Sequence, residues 1–79
     1  MSMYKFFPNP FDKIFNIKII GDELSKIAVI TLEGKIIFNK SNIQSDVYNI
    51  ESDSFQKGIY IVYIETKNGL MFNIKIIKN

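Results

Sequence analysis

The fold of this chain is decided near its C-terminal end, where residues 59–77 read IYIVYIETKNGLMFNIKII. Two strand-length apolar runs flank a short polar insertion, Lys67-Asn68-Gly69. Asparagine followed by glycine between alternating apolar segments is the strongest short-range signal of a β-hairpin. The residues that would share one face are Tyr60, Val62 and Ile64 in the first run, and Leu70, Phe72, Ile74 and Ile76 in the second. The stretch therefore predicts a final hairpin.

The rest of the chain repeats this pattern of short β-prone segments. Isoleucine, valine, phenylalanine and tyrosine dominate each apolar segment, and turn residues separate the segments. Glu33-Gly34 suits a two-residue type I′ hairpin turn, with a positive φ at Gly34. The predicted strands are Tyr4–Phe7, Ile14–Ile20, Lys26–Leu32, Lys35–Lys40, Val47–Ile50, Ile59–Thr66 and Leu70–Ile77. Seven antiparallel strands without helical periodicity predict an all-β, immunoglobulin-like sandwich. Lys26–Leu32 is apolar on both faces, which predicts a central position.

The composition is typical of one small domain with enough apolar material for a core. The 79 residues predict a single domain, 1–79, and 47% of them are hydrophobic. There is no cysteine, so neither a disulfide framework nor a thiolate metal site is available. All ten basic residues are lysines spread along the chain, and the net charge is only +2. Nucleic-acid recognition favours arginine and clustered charge, so the sequence predicts no nucleic-acid partner.

No segment has the length of a membrane-spanning helix. The longest uninterrupted apolar run, Ile59–Ile64, has six residues, whereas a spanning helix needs about 20. The N-terminus lacks the charged start and apolar stretch of a secretory signal, and Pro8 and Pro10 follow early. The sequence therefore fits either an intracellular domain or the tail of a longer precursor whose signal lies upstream.

Few side chains are available for catalysis or for binding a metal. The chain has no histidine and no cysteine, which removes the commonest general base and the commonest metal ligands. Asp46, Glu51 and Asp53 cluster before Phe55, and they fit either a calcium site or a hydrated loop. Their spacing matches no calcium-loop motif, which favours the loop. The sequence predicts no catalytic residue, no metal and no cofactor.

The eleven aromatic residues leave a second class of function open. Tyrosine and phenylalanine rings stack on sugars, so an adhesive or carbohydrate-binding module that stays on a secreted protein is an alternative. There is no tryptophan, however, and the tyrosines fall at strand positions where packing explains them. The residue pattern alone therefore indicates a β-sandwich that binds or supports other molecules.

Several short motifs follow one another in a fixed order. They are Phe7-Pro8-Asn9-Pro10-Phe11, the hairpin VITLEGKI at 29–36, FQKGIY at 55–60, the turn Thr66-Lys67-Asn68-Gly69, and the terminus Lys75-Ile76-Ile77-Lys78-Asn79. Together they resemble the type A C-terminal sorting domain of the type IX secretion system of Bacteroidetes. The resemblance covers about residues 6–79, and 1–5 would be a linker or a start. The residues that match the family's motifs are Pro8, Asn9, Pro10, Gly34, Lys35, Phe55, Gly58, Tyr60, Asn68 and Gly69.

This resemblance implies recognition and not catalysis. Domains of the family follow a cargo domain in the same precursor and are read by translocon, shuttle and sortase proteins at the outer membrane. It also implies transit through the periplasm, and then a cell-surface or extracellular location. The expected mode is capture of an exposed strand edge, or of the tail, by partner backbone. The candidate residues for translocon recognition are Lys75, Ile76, Ile77, Lys78 and Asn79, with both lysines expected at exposed positions.

The sequence departs from the family pattern at two positions. Thr31 stands where aspartate is usual before the first hairpin, and Ser52 occupies a position that is commonly leucine. Residues 51–57 are polar except for Phe55, which predicts a crossover loop pinned by one buried ring. Gly58 is expected to form a tight corner that places Tyr60 on the core with Phe55 beneath it.

Overall fold

The computed structural model describes residues 3–7 and 13–79, and these residues form strands, turns and loops without a helix. The strands are β1 (Met3–Phe7), β2 (Ile14–Ile20), β3 (Leu24–Thr31), β4 (Ile36–Lys40), β5 (Val47–Glu51), β6 (Gly58–Thr66) and β7 (Met71–Lys78). Each predicted strand is present. The largest shift is at β3, which begins at Leu24 and not at Lys26, because Leu24 is fully buried and pairs with Thr66. Nothing in the described ranges is a helix of the length and apolar character needed to cross a membrane.

The strands form two antiparallel sheets that pack as a sandwich. The smaller sheet has the order β1-β2-β5 and the larger sheet has the order β4-β3-β6-β7. The predicted sandwich and the central position of β3, between β4 and β6, are thus confirmed. In constant-type immunoglobulin domains the fourth strand joins the sheet of the first, second and fifth strands. Here β4 pairs with β3 instead, which makes the larger sheet four strands wide.

The core lies between the sheets and is built by alternate residues of the strands. On β2, Phe15, Ile17 and Ile19 are fully buried, and the side chains between them are not, as the two-residue period of a strand requires. The inner faces predicted for β6 and for the second half of β7 are confirmed by the same pattern. The core residues are Phe15, Ile17, Ile19, Leu24, Ile27, Val29, Ile43, Ile50, Tyr60, Val62, Ile64 and Ile76.

The turn between β3 and β4 is not the two-residue type I′ turn predicted at Glu33-Gly34. That turn needs a positive φ at both central residues, but only Gly34 has one, of 92°. The N–H of Gly34 donates to the Thr31 carbonyl (2.9 Å), and the N–H of Lys35 donates to the Thr31 hydroxyl oxygen (3.1 Å). The loop therefore has three residues, 32–34, and ends in a left-handed glycine. The Thr31 hydroxyl thus supplies a side-chain acceptor for the turn at the position where the family pattern has aspartate.

The predicted last hairpin turn has the same geometry. The N–H of Gly69 donates to the carbonyl of Thr66 (3.0 Å), and the N–H of Leu70 donates to the hydroxyl oxygen of Thr66 (3.1 Å). Gly69 has a φ of 86°. The difference between the two turns is burial, since Thr66 is only 2% exposed and Thr31 is half-buried.

Candidate functional site

The sequence motifs lie at two opposite ends of the larger sheet. Gly34-Lys35, in the β3–β4 turn, lies at the end where β6 begins, because Thr31 pairs with Tyr60. Asn68-Gly69 lies at the other end, in the β6–β7 turn. Pro8-Asn9-Pro10 falls outside the described residues. The structure thus brings the first hairpin and the FQKGIY motif together and keeps the last turn apart from them.

A tyrosine corner joins the crossover loop to β6. Tyr60 is only 6% exposed, and its hydroxyl donates to the backbone carbonyl of Gln56. The ring of Phe55 packs against it, with ring centroids 5.6 Å apart. In immunoglobulin-like sandwiches a tyrosine near the start of a strand makes the same kind of bond to a carbonyl a few residues upstream. The predicted packing of Phe55 beneath Tyr60 is confirmed.

Two further residues fix the shape of this corner. Gly58 has a φ of 144°, which lies in a region that essentially only glycine adopts. Ser52 is fully buried, its N–H donates to the carbonyl of Lys13 (2.8 Å), and its carbonyl accepts a bond from the N–H of Phe55 (3.0 Å). The serine thus ties the crossover loop to the chain just ahead of β2, at a position where the family commonly has an apolar side chain.

The C-terminal residues 75–79 alternate between the two faces of β7. Lys75 and Ile77 are exposed, whereas Ile76 and Lys78 are buried, with 1% and 6% of their surface exposed. The expectation that both lysines are exposed is therefore wrong for Lys78. Residues two apart on a strand share a face, so Lys78 points inward with Ile76. An inward-pointing charge near the end of an edge strand protects that edge against unwanted pairing.

The strand β7 is the longest edge strand in the part of the sandwich that the structure describes. It has eight residues and pairs with β6 without a bulge. The edge strands β1, β4 and β5 have five residues each, and β4 pairs with β3 across a register shift. The N–H of Thr66 donates to the carbonyl of Leu70 (2.8 Å). From this bond, the antiparallel alternation directs the backbone groups of Met71, Asn73 and Lys75 to the open side.

Two of the three carboxylates considered for calcium lie at opposite ends of β5, and the third, Asp53, lies in the turn after that strand. Asp46 precedes the strand and Glu51 ends it, so about five residue steps, roughly 17 Å, separate them. Asp46 forms an exposed ion pair with Lys18 (3.7 Å). In the described ranges no three potential His, Cys, Asp or Glu ligands come together. This geometry gives the calcium alternative no support.

The aromatic side chains pack against one another across the sandwich. The ring centroids of Tyr4 and Phe72 are 4.7 Å apart, and those of Phe38 and Tyr48 are 6.1 Å apart. Each pair joins a strand of the smaller sheet to a strand of the larger one. Packing between the sheets, which the sequence favoured over a sugar platform, thus accounts for these rings.

A polar contact at the far end of the sandwich was missed by sequence reasoning. Asp22 follows β2, and its Oδ1 accepts a bond from the N–H of Glu23 (2.7 Å). The pKa of Asp22 lies below its ordinary value of 3.8, and the hydroxyl of Thr66 is the largest cause of this lowering. Burial acts in the opposite direction and raises the pKa, whereas hydrogen bonds from Glu23 and Asn68 lower it further. Oδ2 is shielded from solvent and accepts no bond of standard geometry from the described residues. Asp22 thus couples the turn before β3 to the last hairpin turn.

Replacing Asp22 with asparagine is expected to lower the Tm at pH 7 and to weaken its acid dependence. A carboxyl whose pKa is lower in the folded state stabilises that state above its unfolded pKa, and this stabilisation is lost as the pH falls through the folded pKa. The Tm difference between wild type and variant should therefore be largest near neutral pH and shrink below the ordinary pKa of 3.8. Thermal unfolding followed by circular dichroism from neutral to acidic pH measures it. Asp46→Asn, in an exposed ion pair, should have a smaller effect at neutral pH. A Tm difference that does not change with pH would contradict this role of Asp22.

Comparison with known proteins relates the chain to a family of domains and to a longer protein. The sequence profile described as "Secretion system C-terminal sorting domain" matches residues 5–79. The ulvan lyase NLR42 of Nonlabens ulvanivorans is 23% identical to this chain over 73 residues, which are 92% of the chain and 14% of the lyase. The chain therefore spans about one seventh of the length of this relative.

Proposed function

Because the chain belongs to the family of C-terminal sorting domains of the type IX secretion system, we propose that it directs the protein that carries it out of the cell. Domains of this family are sorting signals for type IX secretion. The observation that carries the proposal is the family match across residues 5–79, which covers nearly the whole sandwich. The resemblance that the motifs predicted is thereby confirmed.

The proposed role is recognition on behalf of an attached cargo. A sorting domain implies an N-terminal cargo and the type IX machinery. Because the similar protein is named as a lyase and is far longer than this chain, we propose a secreted enzyme or binding protein as cargo, with all catalysis in the cargo. The proposed route passes through the periplasm to the cell surface or the medium. The proposed partners on this route are the translocon and its shuttle and sortase proteins.

The open edge of β7 is the proposed element that this machinery reads. Its open side presents the backbone groups of Met71, Asn73 and Lys75. A partner strand adds to such an edge through main-chain hydrogen bonds, while alternate side chains give specificity. On this edge Lys75 and Ile77 project outward. Lys78, which points inward, restricts pairing with a partner strand at the C-terminal end of β7. Within the candidate segment 75–79, the exposed side chains are therefore the ones that a partner contacts.

Fusion of the full chain behind a periplasmic reporter should send the reporter out of a type IX-competent cell. Replacing Asn73 with proline should then reduce export at least tenfold. The backbone N–H of Asn73 faces the open side, so proline removes a donor from the edge and keeps the bonds to β6. The measurement is the ratio of external to periplasmic reporter, alongside the Tm of the purified chain.

The matched control is Asn39→Pro, which changes an exposed asparagine on β4, the other edge strand of the same sheet. Export of Asn73→Pro at the wild-type level would rule out capture of the β7 edge. Retention of the wild-type fusion in the periplasm would rule out the sorting function itself.

A further inference from the structure

One end of the sandwich carries a groove that the sorting role does not yet explain. It lies between the β3–β4 turn and the crossover loop and consists of two adjoining depressions of about 530 and 220 Å³. Both depressions are lined by Thr31, Glu33, Gln56 and Tyr60, so they form one continuous feature, which we call the end groove. The groove lies beside the two motifs that the fold brings together.

Hydrogen bonds hold both walls of the end groove in place. On one side, the N–H of Thr31 donates to the Lys35 carbonyl (2.9 Å) and the hydroxyl oxygen of Thr31 accepts from the N–H of Lys35 (3.1 Å). On the other side, the Tyr60 hydroxyl donates to the Gln56 carbonyl. A preformed site loses little conformational entropy when it binds. The groove is therefore built to accept a ligand without rearrangement.

The lining combines an aromatic floor with an apolar rim. The floor contains Tyr60, which is 6% exposed, and the half-buried ring of Phe55. On the rim, Leu32 is 64% exposed and Ile59 is 39% exposed. At Gly58, no heavy atom lies within 4 Å of the position that a Cβ would occupy. The absence of a side chain lets the backbone of a ligand approach the groove closely at this point.

The charged side chains of the groove have no ion-pair partner within the described ranges. Lys35 lines the larger depression, Lys57 lines the smaller one, and Glu33 lines both. The ion pairs of the described residues, Lys18–Asp46 and Lys67–Glu23, lie elsewhere. Two ammonium groups against one carboxylate leave the groove with a net positive charge. Electrostatic complementarity therefore favours an acidic ligand.

We propose that the end groove binds an extended peptide segment of a partner protein in which acidic and aliphatic side chains alternate. This inference rests on the proposed sorting function and names a second surface through which the export machinery would recognise the chain. An aliphatic side chain fills the larger depression over Phe55, and acidic side chains reach Lys35 and Lys57. A peptide fits better than a saccharide, because Tyr60 is too deeply buried to offer a ring face for stacking.

Titration of the purified chain with a synthetic hexapeptide of alternating aspartate and leucine tests binding directly. Amide chemical shifts of residues 31–35 and 54–60 should move, and those at the opposite end of the sandwich should not. Ser54→Trp fills the larger depression and should abolish the shifts, whereas Ser41→Trp, which changes an exposed serine outside the groove, should leave them. Shifts produced by alginate, an acidic polysaccharide, and not by the peptide would overturn the proposal in favour of a glycan site. No shift with either probe at millimolar concentration would also overturn it.

Export of the reporter fusion supplies the second readout. A double reversal of the groove charges, Lys35→Glu with Lys57→Glu, should reduce export at least tenfold. The control Lys26→Glu with Lys40→Glu, at exposed positions outside the groove, should stay within twofold of wild type. Normal export of the folded groove variant would refute a role in sorting even if the peptide binds. This outcome differs from failure of the wild-type fusion, which would refute the proposed function and leave the titration to decide on peptide binding.

Discussion

Gly58→Val is expected to lower the free energy of unfolding by about 1–3 kcal/mol, the usual cost of holding a side-chain-bearing residue in a region reserved for glycine. The φ of Gly58 is 144°, and β-branched residues avoid positive φ most strongly. In a domain of this size each kcal/mol corresponds to a change in Tm of about 4–8 °C. Thermal unfolding of the purified chain, followed by circular dichroism, measures the loss.

Two control variants separate backbone strain from steric clash. Because no heavy atom lies within 4 Å of a Cβ at Gly58, Gly58→Ala should lose nearly as much stability as the valine variant. Lys57→Val places the same side chain on the exposed neighbour, where a surface substitution changes stability by only about 0.5 kcal/mol. A wild-type Tm for Gly58→Ala would show that the corner relaxes to an ordinary backbone conformation.

Thr66→Val is expected to cost about 1–3 kcal/mol, the range for leaving a buried polar group without its partner. The substitution keeps the shape of the side chain and removes the hydroxyl that accepts the N–H of Leu70 (3.1 Å). The same hydroxyl acts on the carboxylate of Asp22. Since Thr66 is only 2% exposed, water cannot replace it easily. Urea unfolding of the purified chain gives the free-energy difference directly.

The other hairpin turn supplies a matched control for this variant. Thr31→Val removes the same kind of hydroxyl from a turn of the same geometry, but the bond from Lys35 to Thr31 is exposed. Water therefore satisfies the N–H of Lys35, and the expected loss is about 0.5 kcal/mol or less. In an Asp22→Asn background, the cost of Thr66→Val should also fall, because the two residues are coupled. Equal losses at Thr31 and Thr66 would contradict the importance of burial.

The strands could be predicted from the sequence because their signal is local. The alternation of apolar and polar residues predicted the boundaries of β2, and Asn68-Gly69 predicted the turn of the last hairpin. The turn type predicted between β3 and β4 was wrong, because a glycine preceded by glutamate fits both a two-residue and a three-residue loop. The φ of Glu33 distinguishes them, and the Thr31 hydroxyl favours the longer loop. A threonine three residues before a glycine was the signal that could have corrected the prediction.

The candidate site was predicted less completely than the fold. Lys78 lies two residues after the buried Ile76, so the alternation of the strand places both side chains on the same face. Its burial could have been predicted from this alternation, but the prediction followed the usual exposure of lysine instead. The contact between Asp22 and Thr66 joins turns that are distant in sequence, and no local pattern indicates it. The end groove likewise exists because β3 and β6 pair in a register that places two separate motifs side by side.

The packing of Tyr4 on Phe72 has a mechanical consequence. It joins the first strand to the last strand of the described fold, and within its own sheet β1 is an edge strand whose neighbour is β2. Tension that arrives from a domain ahead of β1 therefore loads a five-residue edge strand first. Such a strand peels away pair by pair, beginning at Met3 and Ile20, and this requires far less force than shearing a whole strand at once. The contact between Tyr4 and Phe72 lies near the point where this separation begins. A force applied through the cargo would therefore break this contact and detach β1 before it loaded the four-stranded sheet.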